Sequence, residues 1–239
     1  MELAYKIHDI LSVKIRVRDP HLLRNTFRKI LGNLNFSYLY FFNTHYCDTS
    51  DITLNIERKV SPSISNCYVI WRKYYIKDNY IYIRNNSVKE KWEAEIINIE
   101  KSNTTINYNG RIISLRSILL PDFFPQNFLL RPIVEFKLLQ RNYIPIHASA
   151  VARKRDAIMF AGPGGTFKTS IAMDFVRQGF KLLGDDTVLL DKRDSKLLSY
   201  PIYILPFNFK LEKQPSEIYR GTMDKISYLI YMLKKRNIN

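Results

Sequence analysis

The chain has 239 residues, 46% of them hydrophobic, enough for one or two domains with a sizeable core. Its 37 Lys and Arg against 22 Asp and Glu give a formal net charge of +15. The excess is spread over both halves, without a helix-turn-helix, zinc-finger or RNA-recognition signature, so nucleic acid is not the expected partner. No run approaches the ~18 consecutive apolar residues of a membrane span, and the opening Met-Glu-Leu-Ala-Tyr-Lys lacks a secretory signal's apolar stretch, so a cytoplasmic location is expected. Abundant Lys, Asn, Ile and Tyr give the charge a compositional source, yet a basic surface still attracts acidic partners, nucleic acid or anionic membrane.

In chain order, Pro20 to Leu31 reads as a helix with Leu22, Leu23, Phe27 and Ile30 on one face. Four β-rich runs come next: Ile52 to Glu57, Cys67 to Ile76, Tyr80 to Arg84 and Ala94 to Glu100. Lys77-Asp78-Asn79 and Asn107-Tyr108-Asn109-Gly110 are turn signals. The aromatic stripes Tyr38 to Phe42 and Trp71 to Tyr75 suit core and sheet-face packing better than base stacking. Cys47 and Cys67 lie far apart with no ligand pattern around them and read as ordinary thiols. Pro121 to Pro125 punctuates the chain, and Asn127 to Gln140 reads as an apolar helix interrupted near Pro132 and packed on the region after it. Residues 1–125 thus form a β-rich α+β region with no catalytic set, which either recognises a substrate or caps a sheet, and residues 126–239 form a second region.

Within that second region, Ile144 to Val151 leads through Arg153-Lys154-Arg155-Asp156 into the apolar run Ala157 to Ala161, a pattern that predicts a β-hairpin with His147 opening its first strand. Next comes Gly162-Pro163-Gly164-Gly165-Thr166-Phe167-Lys168-Thr169-Ser170, the phosphate-loop pattern G-x-x-x-x-G-K-[ST] with Phe167 in place of the last glycine. Three retained glycines permit the inward-turned amides and close backbone approach that phosphates need. Lys168 is placed for β and γ phosphate oxygens and the Thr169 hydroxyl for Mg²⁺. A helix from Thr169 to Gln178, with Ile171, Ala172, Phe175 and Val176 on one face and Gly179 as its stop, would set the phosphates at a helix N-terminus. Fifteen or so residues on, Asp185-Asp186 stands between apolar runs. This reads either as a turn or as an acidic pair that binds Mg²⁺ and accepts a proton. Asp224 to Leu233 reads as a short helix, and Lys234-Lys235-Arg236 as a solvated tail.

The ordered set His-Ala-Ser-Ala-Val at 147 to 151, hairpin, loop at 162 to 170, helix, and Leu-Leu-Gly-Asp-Asp at 182 to 186 resembles the catalytic core of HPr kinase/phosphorylase and the wider HPr-kinase-like serine kinases. The match covers roughly residues 144 to 191, about a fifth of the chain. The resemblance implies an α/β fold, a phosphoenolpyruvate-carboxykinase-like P-loop core with a mixed sheet and few helices. It implies Mg·ATP as substrate, Lys168 on phosphate, Thr169 as a Mg²⁺ ligand, Asp185 and Asp186 as base and metal contact in unassigned order, and His147 near the active site. Phe167 departs from the pattern; its ring either rearranges the loop or stacks on or shields the nucleotide. No segment after Asp186 resembles the family's C-terminal region, so neither phosphorylase activity nor HPr as substrate is expected. The expected function is ATP-dependent transfer of a γ-phosphoryl group to a hydroxyl of a peptide, protein or small molecule. The alternative is a non-catalytic nucleotide-binding regulatory module with a degenerate loop, and the oligomeric state is open.

Overall fold

The computed structural model describes residues 2–18, 49–86, 90–112 and 125–200. The helices expected at Pro20 to Leu31 and Asp224 to Leu233, the stripe Tyr38 to Phe42, Cys47, Pro121 and the tail Lys234 to Arg236 lie outside them.

Eight strands make one mixed sheet: β1 (Glu2–Ile7), β2 (Leu11–Val17), β3 (Ile52–Ile56), β4 (Tyr68–Ile70), β5 (Tyr74–Lys77), β6 (Tyr80–Asn86), β7 (Glu90–Ile97) and β8 (Thr104–Ile112). They lie in the order β1-β2-β3-β8-β7-β6-β5-β4. The β2–β3 and β3–β8 pairings are parallel and the others antiparallel. Alternation of apolar and polar side chains gives the sheet two different faces. One carries Ile7, Val13, Ile15, Leu54, Ala94, Ile96 and Ile106 into the main core. The other bears a polar row in which Asn55 donates to Asn107 at 2.9 Å, Asn107 donates to Glu95 at 3.0 Å, and the Tyr80 hydroxyl donates to Glu95 at 2.9 Å.

Strand pairing corrects two expectations. Asn107 to Gly110 is not a turn but the middle of β8, where Asn107 pairs with Glu95 and Gly110 with Trp92. Gly110 is a close-packing glycine: a Cβ there would lie 2.2 Å from the Tyr108 hydroxyl and 2.9 Å from the Trp92 Cβ. Cys67 to Ile76 is two strands rather than one, because the chain reverses at Trp71-Arg72, both with φ near +50°. The turn at Asp78-Asn79 forms as expected, closing the β5–β6 hairpin at the Lys77–Tyr80 pair. Strands β1 and β2 are not among the expected elements, although Leu11, Val13, Ile15 and Val17 alternate with polar residues as in a half-buried strand; they extend the sheet at the edge opposite β4.

A π-helical turn, Pro125–Leu130, runs into α1, Arg131–Gln140. Pro132 sits in the first turn of α1, where its missing N–H costs no helical bond, so it marks the change of helix type rather than a gap. Leu129, Leu130, Ile133, Val134 and Leu138 enter the same core as the eight-stranded sheet, together with Leu189 and Tyr200. Lys137 is buried beneath this helix; burial first, then the neighbouring Arg141 charge, lower its pKa.

The rest of the described chain forms two three-stranded antiparallel sheets. One has the order β11-β10-β12, from β10 (Ala148–Arg153), β11 (Asp156–Ala161) and β12 (Lys181–Gly184). The other has the order β14-β13-β9, from β9 (Tyr143–Ile146), β13 (Val188–Asp191) and β14 (Leu197–Ser199). Over the described residues the protein is therefore mixed α/β, strand-rich, with one mixed sheet and few helices. The Arg141 guanidinium donates to the Ile10 carbonyl and pairs with Asp51, and the His8 ring bonds the Ser199 carbonyl at 2.8 Å, joining the large sheet to the later segments of the chain. Among the described residues no helix is long and apolar enough to cross a membrane.

Candidate functional site

The predicted hairpin is present: β10 and β11 pair from Ala148↔Ala161 to Arg153↔Asp156, and Lys154 takes the left-handed turn position at φ 57°. Strand β11 then runs into the loop 162–167 and the loop into α2, Lys168–Arg177. Phe160, Phe175 and Phe180 hold this unit together, with ring centroids 5.5 Å and 5.0 Å apart along the series. Ala172 is fully buried on the same helix face, whereas Ile171 remains exposed. Gly179, at φ 91°, ends the helix as its left-handed stop.

Loop conformation is set by its glycines and by Phe167. Gly165 has φ 81°. A Cβ on Gly162 would stand 2.9 Å from the Thr166 hydroxyl, so a larger residue there would have to displace that side chain. Phe167 occupies the N-cap of α2 in the left-handed region, φ 58° and ψ 18°, a conformation a glycine adopts without cost. Phe167 thus holds a left-handed turn conformation with its ring turned outward, 75% exposed. Its side chain makes no cap to the helix amides, which leaves that end of α2 suited to an anion.

Lys168 donates to the Gly162 carbonyl at 2.8 Å and to the Pro163 carbonyl at 2.7 Å, and the Thr166 hydroxyl donates to the same Pro163 oxygen at 2.9 Å. The ammonium is thus held over the loop. Gly164 and Gly165 have open space where a Cβ would stand, and Ser170 is exposed in the first turn of α2.

The two aspartates occupy the connection from β12 to β13, and strand register places them. Ala150 pairs with Gly184, while Val151 pairs with Leu182, so Leu183 is an extra residue that shifts the pairing. Continuing the pairing beyond Gly184 brings Asp185 beside Ser149. The Ser149 hydroxyl, fully buried, donates to Asp185 Oδ1 at 2.5 Å, and the Thr169 hydroxyl donates to that same oxygen at 2.8 Å. Three segments, β10, the start of α2 and the β12–β13 connection, therefore meet at one carboxylate oxygen. Gly184 is required by close approach, since a Cβ would lie 2.6 Å from the Thr187 carbonyl oxygen.

Asp186 points to a different neighbour. At φ 73° it takes a left-handed conformation that Asp tolerates, and its carboxylate stands 3.0 Å from His147 Nδ1, which also lies 2.7 Å from the Asp186 carbonyl oxygen. His147 itself sits at the bend between β9 and β10 rather than inside a strand. The pair forms a turn between strands, and that turn brings the Asp185 carboxylate to the start of α2. Both groups are at least partly accessible, Asp186 about half exposed and Asp185 less so.

Sequence patterns single out every residue of this cluster except Ser149. Its signal is parity: a lone hydroxyl among alanines in β10, opposite the strand that carries the acidic pair.

The donor set suits magnesium held jointly with phosphate. Thr169 and Asp185 offer hard oxygens at a helix N-terminus, and Mg²⁺ commonly takes only one or two carboxylates plus phosphate oxygens and water. Among the described residues no group of three or more His, Cys, Asp or Glu is placed to hold a metal ion by itself. In comparisons with protein-family models, curated proteins and solved structures, no match to the chain was found.

Proposed function

We propose that the chain is an ATP-dependent phosphotransferase of the HPr-kinase-like type, with a phosphoenolpyruvate-carboxykinase-like P-loop core, acting on a hydroxyl of a peptide, protein or small molecule. The observation that carries this reading is the shared hydrogen bonding of Thr169 and Ser149 to Asp185, which brings a loop-end hydroxyl and a carboxylate to the same point. A chance glycine-rich turn before an amphipathic helix would have no reason to gather them.

In this reading the loop amides and Lys168 hold the β and γ phosphates, and Thr169 with Asp185 holds the magnesium that accompanies ATP. Ser149 fixes the Asp185 rotamer from the buried side. Asp186 is the base: it is the more exposed carboxylate and stands beside His147, away from the Thr169 hydroxyl. It accepts the proton of the acceptor hydroxyl while that oxygen forms its bond to the γ phosphorus and the bond to the ADP oxygen breaks. The strength of the arrangement is positioning and charge neutralisation rather than covalent chemistry.

The second reading, a nucleotide-binding module without transfer, is favoured by one feature, the exposed Phe167 ring at the phosphate loop. Incubation with γ-labelled ATP and a panel of hydroxyl acceptors, including the chain itself, separates the two. Under the kinase reading Asp186→Asn abolishes turnover and spares nucleotide affinity, whereas Asp185→Asn weakens Mg²⁺-dependent affinity. Nucleotide binding with no turnover of any acceptor would leave the regulatory module, and turnover unchanged in both variants would overturn the assignment of the base.

A further inference from the structure

The far edge of the eight-stranded sheet presents a second surface, unrelated to the phosphate loop. Strand β4 is exposed along its whole length, Tyr68 at 81%, Val69 at 53% and Ile70 at 46%, and the turn after it exposes Trp71 at 84%. Alternate residues of a strand point to opposite faces, so apolar side chains stand in solvent on both faces of the hairpin tip. The aromatic stripe Trp71 to Tyr75 is expected from sequence to pack; within it only Tyr75 is buried. The turn is held in shape: the Lys73 amide donates to the Ile70 carbonyl at 3.0 Å, and the Trp71 ring meets the Tyr74 ring edge-on at 6.3 Å.

The hairpin carries cations and no carboxylate of its own, the nearest acid in register being Glu93, opposite Arg84 on β7. From Arg58 to Lys77 the chain carries five Lys or Arg and no Asp or Glu. Arg72 and Lys73 lie in the turn itself, and the Arg84 amide donates to the Lys73 carbonyl at 3.0 Å, which brings a further cation to the base of the hairpin.

We infer that the β4–β5 hairpin is a membrane-contact element that inserts Tyr68, Val69, Ile70 and Trp71 into the interface of an anionic lipid surface while Arg72, Lys73 and Arg84 engage the headgroups. Three observations select this occupant. A protein partner or an added strand covers one face or the backbone edge, whereas the apolar side chains here point both ways; a lipid interface surrounds an inserted tip. Val69 and Ile70 offer no ring to a base, so a single-stranded nucleic acid would use only part of the surface. A second copy of the chain would bring the same cations against themselves. Trp and Tyr with flanking Lys and Arg are the residue types that settle at the boundary between headgroups and acyl chains.

The test is co-sedimentation of the full chain with vesicles of phosphatidylcholine alone and of phosphatidylcholine with phosphatidylserine, alongside tryptophan emission. The variants are Trp71→Gly, which suits the left-handed turn, and Arg72→Gln with Lys73→Gln. The parent binds the phosphatidylserine vesicles at least about tenfold more tightly than the neutral ones, with a blue shift of emission. Trp71→Gly abolishes the shift and weakens partition, and the double variant removes the preference for phosphatidylserine. Absence of vesicle binding, or binding indifferent to Trp71→Gly, overturns the inference. So does either a Trp71-dependent dimer by sedimentation or Trp71-dependent affinity for oligothymidylate in place of the lipid.

Discussion

Thr169 and Asp185 are 16 residues apart in sequence and meet at 2.8 Å, the hydroxyl of one donating to the carboxylate of the other. The contact joins the first turn of α2 to the connection after β12, two elements that share no backbone pairing. Thr169→Ala removes the donor, so it should weaken Mg·ATP binding while Thr169→Ser retains it. Titration of nucleotide with and without Mg²⁺ checks this: the alanine variant should lose the metal dependence, and equal behaviour of the two variants would break the assignment.

Phe167 bears the conformational cost of the altered loop. A left-handed non-glycine residue costs roughly 1–2 kcal/mol, and a glycine's extra freedom in the unfolded chain costs about 0.5–1 kcal/mol. Phe167→Gly should therefore leave stability unchanged or raise it by up to about 1.5 kcal/mol, since the exposed ring contributes little packing. Thermal unfolding decides: a clear fall in Tm would show that the ring is held by contacts.

Gly184 has no room for a methyl group. Gly184→Ala should destabilise by roughly 1–3 kcal/mol and displace the acidic turn. Denaturant unfolding gives the first effect; a loss of nucleotide affinity at temperatures where the variant remains folded gives the second.

Asp51 carries the pH dependence at the join between the large sheet and α1. Burial alone would raise its pKa, but hydrogen bonds from the Arg141 guanidinium and from the Ser12 amide and hydroxyl outweigh this and lower it below 3.8. A depressed carboxyl contributes stability that is complete above its unfolded pKa and is lost as pH falls through the folded one. The stabilisation should be intact at neutral pH and decline below about pH 4. Asp51→Asn should lower Tm at pH 7 and flatten the fall on acidification; an unchanged acid limb would place the pH sensitivity elsewhere.

The legible parts of the fold are those fixed by local chemistry. The β10–β11 hairpin, α2 and its Gly179 stop, and the Asp78-Asn79 turn all arise from short-range patterns. Features that escape a sequence reading depend on partners distant in the chain. Asn107 to Gly110 has the composition of a turn, but β7 pairs with all of it and β3 with Asn107 and Tyr108, which holds it extended. Strands β1 and β2 gain their burial from the sheet and from α1; the alternation of Leu11, Val13, Ile15 and Val17 marks a strand but does not name those partners. Within the site, loop and acidic pair are visible as motifs, while the role of Ser149 arises only from the register of β10 with β12. The exposure of Trp71 is hidden for a related reason: an aromatic strand reads as core until its place at a sheet edge is known.

The proposed function stands or falls on whether residues 162–170 bind the phosphates of a nucleotide despite Phe167. Calorimetric titration of ATP and ADP with Mg²⁺ into the purified chain and into Lys168→Ala, in one buffer, tests it most directly. Saturable binding to the parent is expected, lost or reduced by at least about tenfold in Lys168→Ala, because the Lys168 ammonium, which donates to the Gly162 and Pro163 carbonyls, is then missing. Equal binding by both proteins, or none by the folded parent, would contradict it.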